Sequence, residues 1–235
     1  MLHRPYVLAF LCAFLYLAIR RFGTTRALFW LTTGYWIAWI SEASSIRNGF
    51  PYGWYSYRYE NLTRDWLLWG VPVWDSLSYP FLIYASYTTA TFLLRPREAA
   101  DSSVRWRRAL LGAALTMLLD IIIDPVANLG ERWFLGDIYD YAHPGWYFGV
   151  PFTNFLGWFL VPLVIILVNQ WLWELIPGRT HVRTYARTHN LMDLAFYFSI
   201  ALFNIVLAWS IGAYALGAIS SILLLAVGLL VKRQL

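Results

Sequence analysis

Glu42, Asp75, Asp120, Asp124 and the carboxamide of Asn154 interrupt long apolar stretches of this sequence, or stand where they begin. An ionisable side chain at the centre of a bilayer costs about 2.5–3.5 kcal/mol on insertion scales, unless it is paired or faces a cavity. Asp120 and Asp124 are four residues apart and so share one face of a helix, one turn from each other. Pro125 follows directly and frees a backbone carbonyl at that level. Several acids at one depth repel unless some of them hold a proton. A carboxylic acid kept protonated near neutral pH is the requirement of a general acid, so the set points to proton transfer. For any one carboxylate the plainer reading is a hydrogen bond between helices, or a pair with an outer arginine such as Arg47 or Arg132. That reading is weaker for all four together.

The elements that must position these groups follow from composition. Of the 235 residues, 60% are hydrophobic and only 13% charged, against roughly 25% charged in a soluble domain. Apolar stretches near 5–19, 27–46, 74–94, 109–129, 154–173, 191–209 and 214–231 each approach the length of about 20 residues that crosses a bilayer as a helix. The sequence therefore predicts an all-α polytopic membrane bundle of about seven transmembrane helices, forming one membrane domain over 1–235. Pro5 to Ile19 has the apolar character of a signal core, but no small-x-small cleavage site precedes Arg20 and Arg21, so it is read as the first span.

Arg20, Arg21, Arg26, Arg95, Arg97, Arg105, Arg107, Arg108, Arg179, Arg183, Arg187, Lys232 and Arg233 fall in alternate connections and the tail. The positive-inside rule puts them in the cytoplasm, with the N-terminus outside a cell membrane and the C-terminus inside. The net charge of +5 is accounted for by this topology, and no nucleic-acid partner is implied. At 1.5 Å per residue, Glu42 and Asp124 both lie roughly 22 Å above the cytoplasmic ends of their helices. Asp193 and Asn204 of the sixth span are polar but read as isolated.

The two long outer connections, about 47–73 and 130–153, are rich in aromatic residues, Gly and Pro. Gly70-Val71-Pro72 followed by Asp75, Leu77 and Tyr79 recurs as Gly149-Val150-Pro151 followed by Asn154, Leu156 and Trp158. Gly53-Trp54-Tyr55 is echoed by Gly145-Trp146-Tyr147. These matches predict a parallel internal repeat of two helices per unit, about 27–94 and 109–173. With 14 Trp and 16 Tyr, the aromatic content exceeds what interfacial belts need. Trp39, Tyr55, Tyr57, Trp146, Tyr147 and Trp158 are the candidate lining of an aromatic substrate cavity, with ring packing between helices as the alternative.

Absences narrow the chemistry. His3, His143, His181 and His189 form no HxxxH-type cluster, so a membrane di-iron oxygenase is disfavoured and no metal is expected. No Gly-rich phosphate-binding loop opens a helix. Lys232 is the only lysine and lies in the tail, so a retinal Schiff base has no attachment point. Cofactor-free acid–base chemistry on an apolar molecule remains.

Phe50-Pro51-Tyr52-Gly53-x-Tyr55-x-Tyr57, Gly70-Val71-Pro72, Asp120-x-x-x-Asp124-Pro125 and Trp146-Tyr147-x-Gly149-Val150-Pro151-x-x-Asn154-Phe155-Leu156-Gly157-Trp158 resemble the carotenoid biosynthesis membrane proteins that include the carotenoid 1,2-hydratases. The resemblance covers roughly residues 30–175. It implies addition of water to the terminal double bond of an acyclic carotenoid, in a lipid bilayer and alongside other enzymes of carotenoid synthesis. Protonating such an alkene needs a desolvated acid, and the tertiary cation formed needs aromatic faces and a carboxylate. Asp124, beside Pro125 and after Ile121, Ile122 and Ile123, is the first choice as proton donor, with Asp120 holding it. Glu42 or Asp75 stays ionised, stabilises the cation and deprotonates the attacking water, which Asn154 positions. A carotenoid or terpenoid cyclase shares the protonation step. A small proton-coupled transporter is the non-enzyme reading. An intramembrane prenyltransferase is disfavoured, because the aspartates face outward and a second aspartate-rich motif is missing.

Overall fold

A backbone in lipid has only itself for hydrogen bonding, which drives long apolar runs into helices. In the computed structural model, which describes residues 4–94, 102–176 and 187–235, seven long helices form among the described residues. They are α1 (Pro5–Phe22), α2 (Thr24–Asn48), α3 (Val73–Leu94), α4 (Ser102–Ala127), α5 (Phe152–Leu175), α6 (Arg187–Ser210) and α7 (Tyr214–Lys232). Each apolar stretch of the sequence overlaps one of them. His3, Arg95, Arg97, Arg179, His181 and Arg183 lie outside the described residues.

Five of these helices, α1, α4, α5, α6 and α7, are long and apolar enough to cross a membrane. The shortfall of α2 and α3 has a local cause. Arg26, Thr32, Thr33, Ser41, Glu42, Ser44, Ser45 and Arg47 dilute α2, and α3 carries Asp75, Ser76, Ser78, Ser86, Thr88 and Thr89. Every residue of α3 from Tyr79 to Ala90 is buried, because α1, α2, α4 and α6 all pack around it. A helix enclosed by protein has no lipid-facing stripe to keep apolar. Its hydroxyls bond back into their own turns, as Ser86 Oγ does to the Leu82 carbonyl (2.9 Å) and Thr88 Oγ1 to the Tyr84 carbonyl (3.0 Å). α7, at the other extreme, leaves Ile222, Leu225 and Leu229 exposed.

The α2–α3 and α4–α5 connections are stitched together by a short antiparallel ladder. Strand β1 (Tyr55–Tyr57) pairs with β4 (Tyr139–Tyr141), with Tyr55 opposite Tyr141, Ser56 opposite Asp140 and Tyr57 opposite Tyr139. Within the first connection, β2 (Leu67–Leu68) and β3 (Val71–Pro72) form a hairpin. Its two turn residues, Trp69 and Gly70, have φ of 51° and 80°. In the second connection Tyr147 bridges Val150 around Phe148 and Gly149, with φ of 50° and 85°. Positive φ at both central residues is the signature of a type I′ turn. Each Gly-Val-Pro segment thus leaves the same turn shape and enters the next helix.

At the end of the bundle away from these loops, Arg21 of α1 forms a buried ion pair with Asp193 of α6, which also accepts a hydrogen bond from the Tyr84 hydroxyl at 2.8 Å. Asp193 is therefore not isolated. Its partners are 172 and 109 residues distant in sequence, and nothing local to α6 announces them.

Candidate active site

The first turn of α5 and the last turns of α4 bring the second half of the site together. Asn154 begins α5 beside Pro151, whose carbonyl accepts the Asn154 backbone N–H at 3.0 Å. Its carboxamide nitrogen donates to Asp120 Oδ2 (2.8 Å) and reaches Asp124 Oδ2 (3.3 Å), so one amide spans both aspartates. Alternate residues of a strand point to the same side, and Tyr139 and Tyr141 of β4 use that spacing to reach a single carboxylate. Tyr139 donates to Asp124 Oδ1 at 2.5 Å and Tyr141 to Asp124 Oδ2 at 2.7 Å. Burial, reinforced by the neighbouring Asp124 charge, pushes both phenols well above their ordinary value. They stay protonated and serve as donors. Asp124 therefore collects three donors, whereas buried Asp120 takes one, from Asn154.

The first half is built differently. Glu42, buried in α2, accepts a hydrogen bond from Ser76 Oγ at 2.5 Å. Asp75, one residue earlier on α3, is held by the guanidinium of Arg4 at the start of α1, and the same guanidinium lies 3.1 Å from Asp65. Arg4 is only 3% exposed, so this pair sits in protein rather than water. Among the described residues neither Arg47 nor Arg132 pairs with these carboxylates. Arg47 donates to the Ala43 and Trp69 carbonyls (2.6 and 2.8 Å) and Arg132 to the Ile211 carbonyl (2.6 Å). Between the halves, Tyr79 and Trp158 stack with centroids 4.2 Å apart and planes 9° apart. The Tyr52 ring leans on both at about 6.3 and 6.2 Å.

These groups surround one cavity of about 180 Å³. Glu42, Asp75, Asp120, Asp124, Asn154, Tyr55, Tyr57 and Trp158 all line it, joined by Arg4, Tyr139 and Tyr141. Trp39, Trp146 and Tyr147 do not line it. The Trp39 indole N–H is taken by the Leu68 carbonyl at 3.0 Å. Trp146 is 89% exposed, beside the second I′ turn. Tyr147 packs edge-on against Phe155 at 5.8 Å. Two sequence signals could have found the missed members. Tyr139-x-Tyr141 repeats the Tyr55-x-Tyr57 spacing, and Arg4 precedes the first span at the same end as Asp75. Among the described residues no group of three or more His, Cys, Asp or Glu side chains is placed to hold a metal ion.

Four carboxylates, an amide and an aromatic wall in one cavity of a multi-pass helical membrane protein define the class. The chain belongs to the carotenoid biosynthesis protein family, whose profile matches residues 3–230. A similar protein is the bisanhydrobacterioruberin hydratase of Haloarcula japonica, 32% identical over 127 residues, which cover 54% of this chain and 39% of that relative. The matched region thus spans less than half of the relative's length. No solved structure matches.

Proposed function

We propose that the chain is a cofactor-independent carotenoid hydratase, a hydro-lyase that adds water across the terminal 1,2 double bond of an acyclic carotenoid end. The observation that carries this reading is the single Asn154 amide bridging Asp120 and Asp124 inside an aromatic cavity. Two carboxylates this close resist ionising together. The donors of Tyr139, Tyr141 and Asn154 converge on Asp124 and favour its charged form, so the shared proton rests on Asp120. This moves the acid role from Asp124, the first choice on sequence grounds, to its neighbour one turn away.

In the proposed reaction Asp120 delivers its proton to C2 of the alkene, and a tertiary cation forms at C1. The π faces of Tyr79 and Trp158 and the carboxyl group of Glu42 face this charge. A water oxygen bonds to C1 and its surplus proton passes to Asp75, which its Arg4 partner keeps ionised. Return of that proton to Asp120 closes the cycle, with one water added and no redox change. Seven spans with the N-terminus outside are proposed as the setting. The matched Trp69-Gly70 and Phe148-Gly149 turns and the symmetric register of β1 with β4 support the two-helix duplication.

The test is expression in cells that accumulate an acyclic carotenoid, followed by mass spectrometry of the pigments. A gain of one water per reacted end is expected. An isomer of unchanged mass would replace the hydratase reading with a cyclase. Unaltered pigment, with the protein present in the membrane, would leave the transporter reading in its place.

A further inference from the structure

The cavity has a second wall that the acid–base chemistry does not use. Besides the carboxylates it is lined by Tyr6 and Phe10 of α1, Phe81 of α3, Phe134 of the second connection and Phe203 of α6. The rings form a continuous chain of contacts. Tyr6 stacks on Phe203 at 5.7 Å and meets Phe134 edge-on at 5.3 Å, while Phe10 touches Phe203 at 5.9 Å and Phe81 at 5.7 Å. Polar groups nearby are already engaged, since the Asn204 amide donates to the Ile200 carbonyl at 3.0 Å and Arg4 faces its aspartates.

Of all the residues that line the cavity, Phe134 alone is exposed, at 50%. Its ring lies against Tyr6 of α1 and Phe203 of α6, so the exposed part of the lining falls beside the contact between these two helices. On α6 the neighbours of this point, Leu202 and Val206, are more than half exposed and apolar, the character of a lipid-facing surface. A cavity of about 180 Å³ holds the end of a long isoprenoid, and the remainder must leave through a wall. A polyene leaving outward into water would lose its apolar environment. Leaving past the aromatic rings costs nothing of that kind.

We infer that Tyr6, Phe10, Phe134 and Phe203 form a lateral binding arm that grips the conjugated chain of the substrate while it extends into the bilayer between α1 and α6. The inference rests on the hydratase reading for the identity of the chain it grips, but not for its geometry. Stacking against π faces suits a flat conjugated chain, and the arm selects long, rigid polyenes over short isoprenoids.

The test compares Phe203→Trp, which overfills the arm, with Leu202→Trp on the adjacent exposed position of the same helix. The full chain is purified in detergent from cells making an acyclic polyene. Bound pigment is measured by absorbance per protein, and product by mass spectrometry. Phe203→Trp is expected to lower bound polyene at least about tenfold, the effect of losing 1.4 kcal/mol of affinity, with Leu202→Trp unchanged. Equal binding in Phe203→Trp and the parent overturns the arm, as does an equal loss in both variants. A parent that binds the polyene without hydrating it, and loses it in Phe203→Trp, removes the hydratase reading and keeps the arm. A parent that binds no polyene removes the arm.

Discussion

The two helix pairs that wall the cavity both carry acids yet satisfy them by opposite means. In the α2–α3 half an aspartate, Asp75, opens the second helix and requires a cation, which Arg4 brings from α1. In the α4–α5 half the corresponding residue is Asn154, a neutral amide, and the acids it spans have no arginine or lysine partner among the described residues. A guanidinium beside a carboxylate favours its anion. A pair of carboxylates tied only by neutral donors can retain a proton. In the proposed reaction, one residue type at one matched position separates the half that accepts a proton from the half that gives one.

Removing the proton itself should break this contrast most severely. Asp120→Asn keeps shape and hydrogen bonding but has no proton to transfer, and hydration should fall by about 10²–10⁴-fold, the range of a lost general acid. Immunoblots of the membrane fraction should show unchanged protein. Near-parental product in a well-expressed Asp120→Asn protein would return the role to Asp124 or Glu42.

Exchanging the distinguishing residue between the halves probes the comparison from both sides. Asn154→Asp places a third carboxylate among Asp120 and Asp124 without a cation, and should destabilise the fold by about 3 kcal/mol, as an uncompensated buried charge does. The reciprocal Asp75→Asn leaves Arg4 with Asp65 and should cost less. Thermal unfolding in detergent reads both. A larger loss in Asp75→Asn than in Asn154→Asp would mean that the Arg4 pair, rather than the proton-sharing pair, is the more finely balanced half.

The smallest expected effect comes from thinning the donors on Asp124. Tyr141→Phe removes one phenol hydrogen bond to a charged group, worth about 1.5–3 kcal/mol. Hydration should slow by about 10–100-fold with the α2–α3 half intact. An unaffected rate would show that Tyr139 and Asn154 suffice to hold Asp124.

The sequence made the helices legible through their apolar runs, and the acids legible because each one violates such a run. Glu42, Asp120 and Asp124 break apolar runs, Asp75 and Asn154 stand at matching starts of two of them, and all five meet at one cavity. Partners set by long-range packing were beyond that reasoning. Arg4 is 71 residues from Asp75, and hydropathy treats a terminal arginine as a flank rather than a ligand. Trp146 was over-read for a related reason, since composition counts aromatic rings without saying which way they face. The Trp146 ring turns outward, where an interfacial indole is at home. Tyr139 and Tyr141 lie outside the Gly-Trp-Tyr echo, and their Tyr-x-Tyr alternation is the pattern that a strand converts into two donors on one side.

The three-residue ladder between β1 and β4 also limits how this protein can diversify. Its period is two, so inserting or deleting a single residue ahead of either strand slips the register and exchanges faces. Tyr139 and Tyr141 would then turn away from Asp124, and Asp140 would turn in. Length changes in these loops are thus filtered out in steps of one, even though loops are ordinarily where homologues vary freely. With the proposed arm as the substrate's grip, altered preferences in descendants of this chain should instead arise by point replacement among Tyr6, Phe10, Phe134 and Phe203, where a ring can be enlarged or trimmed without disturbing the ladder.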